Sequence, residues 1–245
     1  MDQRKNYIFQ AIVESFIELA HPVGSKYLLE EYKIEVSPAT IRNDMAFLEE
    51  LGLIKQPHTS AGRVPTEKGF RHFVDELARS DLHFKVPNKL LHQLKELEEV
   101  KHKLASQKAE GRVYHAVSAL ARISTNIAFA TLPWQGEAYY LGLANVLKKP
   151  EFKDSVRVST VIEILEDKDN FLKFLNGLNL ENDIAVFIGK ENLLSEMQSC
   201  TMLATKYSYD KKHNGILGVL GPTRMNYSRN IAALEAVRND MLEFI

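Results

Sequence analysis

The sequence has very little cysteine and tryptophan, with one residue of each, Cys200 and Trp134. A single cysteine excludes an internal disulfide and leaves a zinc site without the thiolates it would need. Long hydrophobic runs are also missing, because the apolar stretch at 184–188 is far shorter than the roughly 18 residues that cross a membrane. The first six residues are mostly polar or charged, so we expect no secretory signal peptide. These absences predict a cytoplasmic protein without a bound metal or cofactor.

Length and composition are those of an ordinary globular protein. The 245 residues correspond to one or two domains, and hydrophobic and charged fractions of 45% and 26% exclude a disordered chain. The net charge of −1 neither supports nor excludes a nucleic-acid partner. Residues 1–51 have five Lys or Arg against nine Asp or Glu, whereas residues 52–72 have four basic residues against Glu67 alone. A short basic stretch in an acidic region indicates a local contact surface rather than a general polyanion binder.

The first 80 residues contain start and stop signals for several helices and a short β-ribbon. Apolar side chains recur at helical spacing from residue 4 onward. Ser25 is placed to cap a short helix, and Ser37 followed by Pro38 is a strong helix start. Gly52 follows the last residue of that helix, and a glycine in the left-handed conformation commonly ends a helix at this position. The predicted elements are helices over 4–20, 25–32, 38–51 and 67–79, the last capped by Thr66, and strands over 53–56 and 63–65.

Three helices followed by a two-stranded ribbon are typical of a winged helix-turn-helix, here over residues 1–80, with 38–51 as the recognition helix and 58–63 as the wing tip. Asparagine and arginine read adenine and guanine in the major groove, and a helix N-terminus favours phosphate. The candidate DNA contacts are Ser25, Lys26, Ser37, Thr40, Arg42 and Asn43 in the helices and His58, Ser60 and Arg63 in the wing. The alternative interpretation is a helical interaction module with a solvated loop.

Residues 81–88 are predicted to be a linker and residues 89–245 a second domain. A long helix over 89–122 begins that domain, and Gly111 could divide it. A tight turn at 133–137 indicates a β-hairpin. Further predicted elements are strands over 126–132, 139–146, 184–189, 201–209 and 215–221 and helices over 155–166, 169–177 and 223–244. Strands, then helices, then strands again predict an α+β domain built on an antiparallel sheet.

Enzymatic chemistry finds little support in the sequence. Cys200 has no sequence neighbour that would activate it and is predicted to be an inert core residue. The eight histidines show no metal-binding spacing such as HExxH. Residues 218–224 lack the ending of a phosphate-binding loop, so we interpret them as a strand end with Thr223 capping the next helix. An arginine at a helix start is electrostatically misplaced, and Arg224 is therefore expected to form a structural ion pair.

Several ordered runs of residues resemble the HrcA family of heat-inducible transcription repressors. Four of these runs lie in the predicted winged helix and two lie near the C-terminal end. They are residues 22–25 (Pro-Val-Gly-Ser), 37–45 (Ser-Pro-Ala-Thr-Ile-Arg-Asn-Asp-Met), 48–52 (Leu-Glu-Glu-Leu-Gly), 57–69 (Pro-His-Thr-Ser-Ala-Gly-Arg-Val-Pro-Thr-Glu-Lys-Gly), 188–192 (Ile-Gly-Lys-Glu-Asn) and 221–229 (Gly-Pro-Thr-Arg-Met-Asn-Tyr-Ser-Arg). A generic winged helix would not reproduce the two C-terminal runs.

The resemblance implies a fold and a function. It implies a GAF-like α+β domain after the winged helix, and repression of chaperone genes by a homodimer on an inverted-repeat operator, relieved on heat shock. It also implies that the chaperonin GroEL helps to keep the repressor active. One departure is expected, since the family's inserted dimerising domain, between the strands equivalent to 126–132 and 139–146, is missing here. The alternative function is a winged-helix regulator whose GAF-like domain senses a small molecule, because fold does not dictate function.

Overall fold

The computed structural model describes residues 1–79, 109–132, 135–180, 184–208 and 214–242. The chain divides into two compact units, Met1–Leu82 and His83–Ile245. The linker expected at 81–88, the first part of the long helix at 89–108 and the tip of the hairpin at Trp134 lie outside the described residues. None of the described helices is long and apolar enough to cross a membrane.

The first unit has the element order that the sequence predicts. Its elements are α1 (Gln3–Leu19), α2 (Ser25–Tyr32), α3 (Pro38–Glu50), β1 (Ile54–Lys55), β2 (Val64–Pro65) and α4 (Glu67–Arg79). Its core is formed by apolar side chains that these elements bury together, including Ile8, Ile12, Leu28, Ile41, Leu48, Ile54 and Phe70. The helices and the ribbon therefore enclose one small hydrophobic core, as in a winged helix-turn-helix.

Both ends of α3 form as the local sequence predicts. Ser37 is the N-cap and its side chain accepts a hydrogen bond from the Thr40 backbone N–H, with proline at the first helical position. At the other end Gly52 has φ +70, and its N–H donates to Glu49 O at 2.8 Å. The next N–H, of Leu53, donates to Leu48 O at 3.0 Å. These two bonds satisfy carbonyl groups that the helix end would otherwise leave unpaired.

The start of α2 differs from the prediction by one residue. Gly24, not Ser25, is the N-cap, with φ −92 and ψ 156, and it makes no side-chain capping bond. Ser25 already lies inside the helix because the extended residue comes one position earlier. The prediction that Ser25 caps this helix was therefore wrong.

The ribbon is short, and a third backbone segment supports it. β1 and β2 pair Ile54 with Pro65 and Lys55 with Val64 in antiparallel register. Val23, just before α2, forms an isolated antiparallel bridge with Arg63, in which each N–H···O distance is 2.8 Å. Beyond the ribbon the Thr66 hydroxyl accepts from Gly69 N at 3.0 Å, which confirms Thr66 as the cap of α4.

The second unit is an α+β domain built on one antiparallel sheet. Its described elements are α5 (Ala109–Ser124), β3 (Ile127–Leu132), β4 (Glu137–Leu141), α6 (Leu143–Leu147), α7 (Ser155–Glu166), α8 (Lys168–Asn176), β5 (Ala185–Ile188), β6 (Cys200–Ser208), β7 (Asn214–Pro222) and α9 (Tyr227–Leu242). The five strands lie in the order β4-β3-β7-β6-β5, and every neighbouring pair is antiparallel. α5 includes Gly111, and the part of the predicted helix that precedes Ala109 lies outside the described residues.

Alternating side chains on the strands cover the two faces of this sheet. Ile127, Phe129 and Met202 face α7 and α8 within one cluster that also contains Val161, Leu165, Phe171, Phe174 and Leu175. α5 and α9 contact each other and the strands β3, β6 and β7. The alternate strand residues, such as Ala128 and Val219, are buried outside that cluster. The domain is therefore a sheet between two helical layers.

The strand predicted over 139–146 is wrong in its second half. β4 ends at Leu141, and residues 143–147 form α6. Gly142 has φ +93, and a Cβ atom there would lie 2.3 Å from the Asn126 carbonyl oxygen. The left-handed conformation at Gly142 turns the chain out of the sheet, and the apolar residues that follow pack as a short helix.

The final helix also begins later than residue 223. α9 starts at Tyr227, and the Asn226 side chain accepts from Arg229 N at 2.9 Å. Thr223 does not cap the helix; its carbonyl oxygen accepts from the buried Tyr227 hydroxyl at 2.6 Å. The turn between β7 and α9 is held by these contacts, which local propensity does not reveal.

Candidate nucleic-acid interface

The N-terminus of α3 presents an ordered polar surface. Ser37 Oγ lies 2.9 Å from the Thr40 hydroxyl oxygen and accepts from the Thr40 backbone N–H at 3.1 Å. Ser37 is exposed and Thr40 is half-buried. The cap therefore fixes both hydroxyls at the positive end of the helix dipole, where a phosphate group is favoured.

α3 has two chemically different faces. Ile41, Met45 and Leu48 are buried against the other helices of the unit. Arg42 and Asn43 lie one turn from the N-terminus and are both exposed. These two side chains have the donors and acceptors that recognise guanine and adenine edges. The exposed face of α3 can therefore contact bases while the opposite face is held in the core.

The buried face of α3 also contains a carboxylate. The Asp44 side chain is 5% exposed, and Arg4 of α1 contacts it at two points, with Nε 2.8 Å from Oδ2 and Nη2 3.2 Å from Oδ1. The hydrogen bond to Asp44 raises the pKa of Arg4 above its ordinary value. Sequence reasoning did not single out this pair. The available signal was an acidic residue within the apolar stripe of a helix, which needs a partner when buried.

The wing tip is shaped by one side chain. Gln56 Nε2 donates to the carbonyl oxygens of Thr59 and Ala61, each at 2.9 Å. His58 and Ser60, two predicted DNA contacts, are both exposed at this tip. The Gln56 amide thus orders the loop that presents them.

Arg63, the third predicted wing contact, has a partner within the unit. Its side chain is 19% exposed, and its Nε lies 3.0 Å from Oε2 of Glu49 in the last turn of α3. The other oxygen of the same carboxylate accepts from Gln56 N at 3.0 Å. The structure therefore gives Arg63 a structural contact, and its contact with DNA stays a prediction.

The remaining predicted contacts lie on α2. Lys26 has a side chain that is 87% exposed and is 3.7 Å from Glu30, an exposed pair that contributes little to stability. Ser25 is half-buried beside it. The structure brings Ser37, Thr40, Arg42 and Asn43 together on one helix end, and places His58 and Ser60 on the wing and Lys26 on the preceding helix.

A second polar cluster lies in the α+β unit, between the segment after α6 and the turn before α9. Lys149 donates to the side-chain oxygen of the buried Asn126. The pKa of Lys149 is lowered to about 8, chiefly by burial; Glu151 raises this pKa, whereas Arg224 and Arg229 lower it. Arg224 Nε lies 2.5 Å from Glu151 Oε1, which confirms the predicted structural ion pair.

Candidates for catalytic or metal chemistry are few in the described part of the chain. Cys200 is fully buried in the apolar cluster between the sheet and its helices. Among the described residues no group of three or more His, Cys, Asp or Glu is arranged to hold a metal ion.

The fold and this surface define the chain as a winged-helix protein with a second, α+β domain. Residues 28–66 match the DeoR-like helix-turn-helix domain, and residues 80–231 match the HrcA protein C terminal domain. Because the second match spans more than half of the sequence, the chain belongs to the HrcA family.

Full-length relatives carry the same family name. The chain is 27% identical over 333 residues to a heat-inducible transcription repressor HrcA from Desulforamulus reducens, covering 98% of this chain and 96% of the relative. It is 29% identical over 341 residues to the HrcA protein of Carboxydothermus hydrogenoformans, covering 100% and 98%. Both alignments are longer than the 245 residues of this chain, so each relative contains a segment without a counterpart here.

A solved structure supports the fold. The crystal structure of a hypothetical protein superposes with a TM-score of 0.78 at 22% identity, covering 100% of this chain and 97% of that protein. At this identity the likeness shows the fold alone.

Proposed function

We propose that this chain is a transcriptional repressor of chaperone genes that binds an inverted-repeat operator and releases it on heat stress. The observation that carries the proposal is the exposure of Arg42 and Asn43 beside the capped N-terminus of α3. The wing, with His58 and Ser60 at its tip, supplies contacts to the backbone or the minor groove. The curated relatives that match almost the whole chain are named heat-inducible transcription repressors, which supports the same function.

The repressor acts as a homodimer in this proposal. Each recognition helix reads one half-site, and two half-sites separated by one helical turn or a multiple of it match a two-fold dimer. Leu132 pairs directly with Glu137 in the hairpin of β3 and β4, which leaves only a short connection between these strands. The family's dimerising insert is therefore not in this hairpin, and the two copies associate through other surfaces.

Heat relieves repression by lowering the fraction of the protein that is present as a dimer able to bind the operator. The chaperonin GroEL keeps the repressor in its active form in the cytoplasm, and unfolded proteins compete for the chaperonin when the cell is hot. Such a switch needs no catalytic residue, because it changes populations rather than chemical bonds.

The packing between the sheet and α8 argues against a small-molecule site between these two layers. The rings of Phe129 and Phe171 meet edge to face at 5.4 Å in the cluster that fills the space between the sheet and α8. A ligand bound between these layers would have to displace buried aromatic side chains, each of which stabilises the folded state by about 1.5–3 kcal/mol.

The test is fluorescence anisotropy with a family-type inverted repeat and a scrambled duplex, across a salt series, with the molar mass measured in parallel by light scattering. Selective binding by a dimer supports the proposal and shows that the insert is dispensable for dimerisation. Selective binding only after addition of GroEL supports a repressor whose operator binding depends on the chaperonin. Equal binding to both duplexes with and without GroEL would overturn the proposal, and the Arg42→Ala/Asn43→Ala double variant provides the matched non-reading control.

A further inference from the structure

Glu49 is the residue whose contacts join the recognition helix to both sides of the wing. It lies in the last turn of α3, and its Oε1 accepts from the backbone N–H of Gln56 at 3.0 Å. Its Oε2 lies 3.0 Å from Arg63 Nε. Gln56 directly follows β1 and Arg63 directly precedes β2. One carboxylate therefore contacts the chain where it enters the wing loop and where it returns.

The ribbon is short, and its other described contacts are the packing of its buried residues and the backbone bridge to Val23. Each strand has two residues, and Pro65 in β2 has no N–H to donate. The backbone of Arg63 is hydrogen-bonded to Val23, and its side chain contacts Glu49. The Gln56 side chain orders the loop itself but does not contact α3 in these bonds. The carboxylate of Glu49 is thus a side-chain link between the wing and α3.

The charge of Glu49 is otherwise unfavourable at this place. A carboxylate near a helix C-terminus interacts unfavourably with the helix dipole. An acidic residue close to a DNA-binding surface also repels phosphate groups. Both effects are offset when the carboxylate pairs with Arg63 and accepts the Gln56 N–H.

We propose that Glu49 is a positioning residue for DNA binding, which acts by holding the wing at a fixed angle to α3. This inference rests on the proposed DNA-binding function. Without the carboxylate the wing loses its link to α3, and its contacts with the DNA backbone weaken, whereas base recognition by Arg42 and Asn43 persists. Glu49 itself does not touch DNA in this scheme.

The neighbouring Glu50 offers a matched control, because it is exposed at the same end of α3 and has the same charge. Simple electrostatics predicts that Glu49→Gln and Glu50→Gln both tighten DNA binding, since each removes one negative charge. The positioning role predicts that only Glu49→Gln weakens DNA binding. We expect Glu49→Gln to weaken operator binding roughly tenfold and to lower the salt slope by about one unit, as for a lost phosphate contact. Glu50→Gln should leave operator binding unchanged or tighten it.

The experiment measures operator binding by the full chain with each variant across a salt series, together with a hydroxyl-radical footprint. We expect Glu49→Gln to lose backbone protection beside the half-site while its preference among operators with single base changes stays that of the unmodified protein. Arg63→Gln should give the same loss, and the Glu49→Gln/Arg63→Gln double variant should be no weaker than either single variant. Should one single variant unfold, the footprint and base preference of the other, compared with Glu50→Gln, still test the positioning role.

Two results can be distinguished. Equal effects of Glu49→Gln and Glu50→Gln, or additive effects of Glu49→Gln and Arg63→Gln, would overturn the positioning role while the unmodified protein still binds its operator selectively. Failure of the unmodified protein to prefer the operator would instead overturn the proposed function.

Discussion

Arg4 of α1 and Asp44 of α3 form a two-point ion pair across the winged-helix unit, although 40 residues separate them in sequence. Asp44 is almost fully buried, whereas the Arg4 side chain is 47% exposed. The pair joins the first helix to the buried face of the recognition helix. Because only one partner is buried, the two residues are not equivalent in their contribution to stability.

Substitution of Arg4 by alanine should destabilise the first unit. It leaves the buried carboxylate of Asp44 with the more distant Lys5, whose Nζ lies 3.9 Å from Asp44 Oδ1. We expect the first unit to become less stable, because Asp44 is a buried carboxylate that loses both hydrogen bonds from Arg4. Amide hydrogen exchange of peptides from residues 1–79 measures this loss of stability. Replacing both partners, in Arg4→Ala/Asp44→Leu, should recover part of it, and a double variant no more stable than Arg4→Ala would contradict this account.

Substitution of Ser37 by alanine should remove the cap of α3. The Ser37 hydroxyl oxygen is the acceptor for Thr40 N, so its loss should lower the stability of this helix start by about 1 kcal/mol. Ser25→Ala is the matched control, because Ser25 lies inside α2 behind a glycine N-cap. Hydrogen exchange of the two helix starts should show faster exchange for Ser37→Ala alone. Equal acceleration at both sites would show that the cap contributes nothing specific.

Local signals predicted the recognition helix well because its ends are set by neighbouring residues. Ser37 and Pro38 begin it, and Gly52 ends it in the left-handed conformation. The error in the strand predicted over 139–146 also comes from a single residue. Gly142, with φ +93, ends the strand, and the apolar residues after it form a helix. Periodicity over a few residues does not distinguish these two outcomes.

Contacts between residues that are distant in the chain could not be predicted from the sequence. The pairing of Glu49 with Arg63 and of Arg4 with Asp44 depends on how the helices and the ribbon pack together. The exposed positions could be predicted from helical spacing alone, because Asn43 lies opposite the stripe of Ile41, Met45 and Leu48 and Arg42 lies to one side of it. Sequence therefore indicates the reading face of α3, while the packed structure shows what holds that face in place.

Arg42 and Asn43 should determine sequence preference. Alanine at either position should weaken operator binding by about 1–3 kcal/mol and relax the preference for the operator over a scrambled duplex. Anisotropy titrations with both duplexes measure this difference. Lys26→Ala, which removes an exposed charge on α2, is the control and should weaken both duplexes by similar factors. If Arg42→Ala also weakens both equally, its base-reading role is wrong.

Lys149 should make the stability of the second unit depend on pH above neutrality. Burial lowers the pKa of Lys149 from 10.5 to about 8 in the folded protein. Between these two pH values the unfolded chain binds more protons than the folded one, so the contribution of Lys149 to the free energy of unfolding increases as the pH rises. Below about pH 8 the partly buried ammonium is charged in both states and destabilises the fold.

The measurement compares Lys149→Met with the unmodified protein at about pH 7.5 and about pH 10, since one pKa unit corresponds to about 1.4 kcal/mol. We expect the free energy of unfolding of the unmodified protein, relative to Lys149→Met, to rise by about 1–3 kcal/mol between these pH values. Urea denaturation followed by circular dichroism at each pH gives these free energies. Lys148→Met, at an exposed neighbouring lysine, is the control and should show no such rise. A difference that stays constant or falls with increasing pH would mean that burial of the Lys149 ammonium does not destabilise the folded state.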